Sequence, residues 1–250
     1  MSIQQAATHI QNAKHLVILT GAGVSKESGV PTFRDAMDGL WAKYNPEELA
    51  TPTAFAKNPK LVWDWYSYRR DLVSRTKPNA GHIALAQLEK THPDLWLITQ
   101  NVDDLHEQAG STRLIRLHGN LAETICYNQC RGGRVPIAPS DFVWDADRTT
   151  PPRCPHCHAY LRPNVVWFHE MLPTQALNLA QTVCKNSDVA LVIGTSGLVS
   201  PASELPYWAK QNGATIIEIN PEYSMITRYA DIVLNGASGA ILPALLEAMA

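Results

Sequence analysis

Cys126 and Cys130, followed after 23 residues by Cys154 and Cys157, form two close thiol pairs of the kind that knuckle turns bring around one zinc ion. Four sulfurs fill a tetrahedral sphere and leave no position for water or substrate, so a metal held there serves structure and not chemistry. The surrounding segment is rich in Cys, Pro, Gly and Arg, and a bound ion substitutes in such a lobe for a hydrophobic core. The first pair is spaced C-x3-C instead of the more usual C-x2-C, and His156 and His158 stand near enough to replace a cysteine. Both histidines read as exposed neighbours, while Arg131, Arg134 and Arg153 are placed to offset the charge of a tetrathiolate. Cys184, at the end of a predicted helix, reads as a small buried apolar side chain. An odd cysteine count with four in close pairs suits a reducing compartment better than a disulfide scaffold.

Other groups could handle a nucleotide. Gly21-Ala22-Gly23 follows the apolar run Leu16 to Thr20, and small residues at a strand end let the backbone approach a phosphate, with Ser25 or Ser28 starting the next helix. A tight strand-to-helix turn needs glycine with or without a ligand, so the triplet alone decides nothing. The dehydrogenase fingerprint is missing: Lys26 stands where its third glycine belongs, and residues 43–48, with Tyr and Pro, make no acidic strand end. Gln100-Asn101-Val102-Asp103 closes the run Trp96 to Thr99, and its amides and carboxylate are able to hold ribose hydroxyls and a carboxamide. As a polar loop capping a helix, the same residues need no ligand.

His118, between Leu114 to Leu117 and Gly119, supplies an imidazole, the natural general base near neutral pH, where a structural histidine fits equally well. Tyr66 and Arg69 are three apart on a predicted helix and share a face; a phenol beside a guanidinium suits a carboxylate. Composition alone reads that helix as aromatic packing with solvated arginines. Gly194-Thr195-Ser196-Gly197-Leu198 is not a hydrolase elbow, because G-x-S-x-G is not formed.

The elements that position these groups follow from apolar patterning. Runs rich in Val, Ile and Leu at Leu16 to Thr20, Trp96 to Thr99, Ala190 to Ile193, Thr215 to Ile219 and Ile232 to Leu234 predict strands buried on both faces. Helical patterns at Ile3 to Ala13, Gly81 to Lys90, Thr174 to Cys184, Ser203 to Asn212 and Ile241 to Met249 alternate with them, which predicts an α/β, doubly wound parallel sheet of Rossmann type. Residues 1–35, 78–120 and 161–250 make up that main domain. A helical insert, 36–77, and the cysteine-rich insert, 121–160, form a smaller lobe. At 250 residues, 45% hydrophobic and 18% charged, the composition is that of a soluble globular protein. The formal net charge of −2 argues against binding nucleic acid through bulk electrostatics. The apolar run after the first helix is too short for a membrane span or a signal core. A cytoplasmic protein is expected.

Taken together and in order, Gly21 to Arg34, Thr99 to His106, His118-Gly119-Asn120 and the two cysteine pairs resemble the sirtuins, NAD-dependent enzymes that remove acyl groups from protein lysines. The resemblance covers essentially the whole chain. It implies that Gly21, Ala22, Gly23, Phe33, Arg34, Gln100, Asn101, Val102 and Asp103 hold NAD, with Phe33 shielding the ribose carbon once nicotinamide has left. Gly194, Thr195, Ser196, Asn220, Pro221 and Glu222 match adenosine-ribose contacts, and Ser238 a main-chain contact to adenine. His118 is implied as the base, with Asn101 and Asp103 in the catalytic set, and His106 as structural. The acyl-lysine oxygen attacks C1′ of the ribose as nicotinamide leaves; His118 then deprotonates the ribose diol for attack on the resulting imidate carbon. Cys126, Cys130, Cys154 and Cys157 hold the one structural zinc.

Tyr66 and Arg69 resemble the pair of the subgroup that removes succinyl and malonyl groups, Ala50 matches the small residue that widens its acyl pocket, and acetyl is also expected to be removed. Val165, Val166, Trp167 and Phe168 resemble the segment that pairs with the substrate peptide by strand addition, with Gly197-Leu198-Val199 on its other side. The family usually has Gly where this chain has His169. The cofactor and the acylated lysine are expected to meet in the cleft between the lobes. The alternatives are mono-ADP-ribosyl transfer and a non-catalytic sensor of NAD or ADP-ribose.

Overall fold

Strands with aliphatic side chains on both faces are stable only inside a covered sheet, and the computed structural model of the chain, which describes residues 2–31, 44–45, 49–147 and 149–250, contains that sheet. The described strands are β1 (Leu16–Thr20), β2 (Leu95–Thr99), β3 (Leu114–Arg116), β4 (Gly119–Cys126), β5 (Leu161–Val165), β6 (Val189–Ile193), β7 (Thr215–Asn220) and β8 (Ile232–Asn235). Six of them form one parallel sheet in the order β3-β2-β1-β6-β7-β8. The chain proceeds outward from β1 in one direction and returns at β6 to proceed in the other, which makes β1 and β6 the neighbours at the topological switch. Thr20 stands in register with Thr99 on one side and Ile193 on the other, so the polar residues that follow all three strands emerge at one edge.

Contacts divide the chain into two compact units, Met1–Thr32 with Thr76–Leu117 and Leu172–Ala250, and Phe33–Arg75 with His118–Met171. The first holds the α/β sheet and a core including Ile18, Leu85, Leu97, Leu191, Ile217 and Leu242. Its first helix, Ile3–Asn12, is closed by a capping box between Ser2 and Gln5 and buries Ala6, Ala7 and Ile10. Its expected helix at Ser203 to Asn212 is a 3-10 turn, Ala202–Glu204, followed by the α-helix Leu205–Gln211, with Pro206 in the first turn where its missing N–H costs nothing.

In the second unit, the Thr51 hydroxyl and the Asn58 side-chain Oδ1 cap helices Pro52–Lys57 and Pro59–Ser74, each with proline at its start. Antiparallel β4 and β5 make a separate two-stranded sheet. Residues 161–171, assigned above to the main domain, therefore belong to the second unit. The pattern did not announce β5, since Arg162, Pro163 and Asn164 occupy its centre, yet all five of its residues are buried. Among the described residues no helix is long and apolar enough to cross a membrane.

Candidate active site

The end of β1 is built around close backbone packing. A Cβ on Gly21 would lie 2.8 Å from the Gly194 carbonyl oxygen, and one on Gly23 2.7 Å from the Gly194 Cα. Gly194 itself has φ +59°, a left-handed conformation that favours glycine. The glycines after β1 and β6 are thus required for the two turns to cross, with Gly23 N–H donating to the Gly194 carbonyl at 2.8 Å.

Ser25, expected to start the next helix, does something else. That helix, Gly23–Lys26, has Ala22 at its N-cap with no side-chain bond. Ser25 is buried, its hydroxyl donates to Asp103 Oδ2 at 2.9 Å, and it accepts from Asn101 Nδ2 at 3.1 Å. A serine just after β1 therefore orients two polar side chains, Asn101 and Asp103, that follow β2. Burial raises the Asp103 carboxyl above its ordinary value, against the opposing pull of the Ser25 hydroxyl and the Leu105 N–H. Nearby, Gln100 Nε2 donates to the Thr195 hydroxyl at 3.1 Å and Asn220 Nδ2 to the Thr195 carbonyl at 3.0 Å, which ties the ends of β2, β6 and β7 together. Val102 and Thr195 are half-buried, and Ser196, Pro221 and Glu222 are exposed. Ser28, the other expected helix starter, accepts from Asn79 Nδ2. Ser238 donates to Glu27, whose carboxylate also accepts from the Gly239 N–H at 2.7 Å.

His106 lies behind this edge and is buried, with Nε2 3.0 Å from the Thr20 hydroxyl. Its ring centroid is 4.8 Å from that of His82. Burial pushes His82 down to about 4 and His106 down to about 3, the latter helped by repulsion from His82 when that ring is protonated and by the Arg116 charge. Both are neutral at pH 7.

In the second unit, His118 is half-buried and its carbonyl accepts from Val166 N–H at 2.9 Å. Gly119, at φ +83°, leaves no room for a side chain: a Cβ there would lie 2.0 Å from the Asn164 carbonyl oxygen. Residues Val165 to Glu170 are clamped from below by Arg162, only 2% exposed. Its guanidinium donates to the Val165 carbonyl at 2.7 Å and to Glu170 at 3.0 Å, and lies 3.2 Å from the centre of the Trp167 ring. Glu170 accepts from the Trp167 N–H at 2.9 Å. Burial alone would raise the Glu170 carboxyl, but Arg162, the Trp167 N–H and Arg134 outweigh it and hold it below its ordinary value. Between these anchors His169 is exposed at φ +69°, a left-handed conformation that glycine adopts freely and larger side chains do not.

The acyl-pocket candidates meet in the same unit. Phe168 N–H donates to the Ala50 carbonyl at 2.9 Å, and Trp167 Nε1 donates to the Tyr66 hydroxyl at 3.0 Å. Arg69 is 7% exposed, not solvated as composition favoured, and its guanidinium carbon lies 5.3 Å from the Trp65 ring and 5.9 Å from the Tyr66 ring. Burial pushes Tyr66 up to about 12.

The four cysteine sulfurs lie within 4.8 Å of one another, with Cys126 to Cys157 at 3.5 Å and Cys130 to Cys154 at 3.7 Å. Sulfurs about 2.3 Å from one zinc in a tetrahedron stand about 3.8 Å apart, so the residues present fit the ion. Cys130 belongs to the set despite its longer spacing, and His156 and His158 are exposed and outside it. Cys184 is buried and apart. Of the residues proposed from sequence, Phe33 and Arg34 lie outside the described residues. The sequence reading gives Ser25 only as a helix starter and misses its bridge to Asn101 and Asp103; Arg162 and Glu170 are not singled out there, and no local signal marks that pair, since it closes through space.

Residues 21–201 match a family model described as the Sir2 family. An NAD-dependent protein deacylase of Ralstonia nicotianae is 49% identical over 242 residues, covering 97% of this chain and 95% of that protein. A mutant Sir2 homologue in complex with 2′-O-acetyl ADP ribose superposes with a TM-score of 0.87 at 43% identity, covering 100% of this chain and 96% of the other. Sir2 bound to an acetylated peptide superposes with a TM-score of 0.84 at 28% identity, covering 99% and 98%.

Proposed function

Since this chain belongs to the Sir2 family, we propose that it is an NAD-dependent protein-lysine deacylase whose acyl range includes succinyl and malonyl groups as well as acetyl. The nucleotide is co-substrate. Gly21, Ala22 and Gly23 with Gln100, Asn101, Val102 and Asp103 serve it at the strand edge, where folds of this topology bind dinucleotides. Gly194, Thr195, Ser196, Asn220, Pro221, Glu222 and Ser238 serve its adenosine half, and Phe33 and Arg34 its nicotinamide ribose. His118 acts as general base on a ribose hydroxyl, whose oxygen then takes the acyl carbon. NAD, acyl-lysine and water become nicotinamide, free lysine and O-acyl-ADP-ribose. Cys126, Cys130, Cys154 and Cys157 bind one zinc ion, which stands outside the reaction. The substrate is an acylated lysine in an extended peptide that pairs with Val165, Val166, Trp167 and Phe168.

The observation that carries the acidic-acyl range is the burial of Arg69 beside Tyr66 on one helix face. A buried cation and a buried phenol suit an anionic acyl end, and Ala50 leaves it space. The test is incubation with NAD and matched acetyl- and succinyl-lysine peptides, following nicotinamide and acyl-ADP-ribose by mass. His118→Ala should abolish both reactions, and Arg69→Met should lower the succinyl reaction far more than the acetyl one. An unreactive wild-type protein with every acyl peptide overturns the deacylase function; equal loss on changing Arg69 overturns the acidic range alone.

A further inference from the structure

Tyr66 is fully buried, at 0% exposure. Its hydroxyl oxygen accepts from Trp167 Nε1, and among the described residues its own hydrogen makes no hydrogen bond. An indole nitrogen can only donate, so the direction of this bond is fixed: the oxygen lone pair is used and the phenolic hydrogen is left to point elsewhere. Buried donors are almost always satisfied, and one left over beside a buried guanidinium marks the place of an acceptor that comes with a ligand.

The donor of that bond is itself held firmly. Trp167 is 2% exposed, its ring face carries the Arg162 guanidinium, and its backbone N–H is bound by Glu170. Phe55 packs at 5.3 Å from the indole centroid. The ring cannot turn to release Tyr66 without disturbing the Arg162 and Phe55 contacts.

We propose that Trp167 is a positioning residue for acyl recognition: its indole N–H orients the Tyr66 hydroxyl so that the phenolic hydrogen is presented, beside Arg69, to the carboxylate of a dicarboxylic acyl group. The inference rests on the acidic-acyl range proposed above. Burial supports it, since a phenol pushed up to about 12 stays protonated, and thus a donor, at any ordinary assay pH.

The test is the ratio of kcat/KM for matched succinyl- and acetyl-lysine peptides in wild type, Trp167→Phe, Tyr66→Phe, the double variant and Arg69→Met. Phenylalanine keeps an aromatic ring at 167 and removes the N–H. The ratio should fall about tenfold in Trp167→Phe through a rise in KM for the succinyl peptide, the effect of misdirecting one hydrogen bond to a charged acceptor. In the Tyr66→Phe background the same change should move the ratio no further, because the two residues act through one bond. Equal loss of both substrates in Trp167→Phe, or an effect on the ratio that persists without the Tyr66 hydroxyl, overturns the inference while leaving the acidic range intact. A ratio that Arg69→Met does not change overturns both. Should Trp167→Phe not fold, Tyr66→Phe decides: an unchanged ratio there overturns the proposal.

Discussion

Ser25→Ala isolates the bridge between β1 and β2. The serine hydroxyl donates to Asp103 Oδ2 at 2.9 Å and accepts from Asn101 Nδ2 at 3.1 Å, and both partners are 6% exposed. Alanine removes two bonds and leaves a buried carboxylate oxygen and a buried amide hydrogen unpaired; at roughly 1–3 kcal/mol for each orphaned group, the loss of stability should be about 3 kcal/mol. Freed from Ser25, the Asn101 amide no longer has a fixed orientation, and a loss of one orienting bond worth about 1.5 kcal/mol slows the reaction roughly tenfold. The cost should also depend on pH. A carboxyl raised in the folded state binds more protons there than in the unfolded chain, so stability falls as pH rises between the unfolded and folded values. Removing the hydroxyl raises Asp103 further, so the penalty should be smaller at pH 4 than at pH 8. Urea unfolding at both values, with nicotinamide release from NAD in the presence of an acetyl-lysine peptide, measures each quantity. A variant as stable and as active as wild type at pH 8 would refute the bridge.

Glu170→Gln strips the charge that compensates buried Arg162 and should cost about 3–5 kcal/mol in urea unfolding; a loss below about 1 kcal/mol would show the pair to be solvent-screened. Chelating the zinc should make Cys126, Cys130, Cys154 and Cys157 reactive toward a thiol reagent while buried Cys184, whose thiol burial pushes up to about 12, stays protected. Five cysteines reacting together would mean that metal loss unfolds the whole chain. His82 and His106, held neutral by burial at about 4 and about 3, bind fewer protons folded than unfolded. Their contribution is present above the unfolded value of about 6.5 and is lost as pH falls toward the folded values. Replacing His106 with Asn should flatten the acid limb of the stability profile, and an unchanged limb would place the proton uptake elsewhere.

Local pattern was enough to find the five long-buried strands, the glycine turns, the four thiols and the polar edge after β2, because each is written within a few consecutive residues. Even the helix carrying Tyr66 and Arg69 was legible, although its burial was not, since periodicity assigns a face and not what covers it. Other features belong to residues far apart in the chain. Ser25 meets Asn101 and Asp103 only because β1 and β2 are parallel neighbours in register. Strand β5, with Arg, Pro and Asn at its centre, becomes a strand because β4 supplies its ladder and Glu170 and Glu123 receive its polar side chains. The Tyr66 hydroxyl acquires a direction from an indole 101 positions away in sequence. Residue types and short-range spacing thus supply the candidate groups, whereas the aim of each polar group is set by pairing and packing across the fold, where a buried hydrogen bond must be made with whatever partner the topology brings.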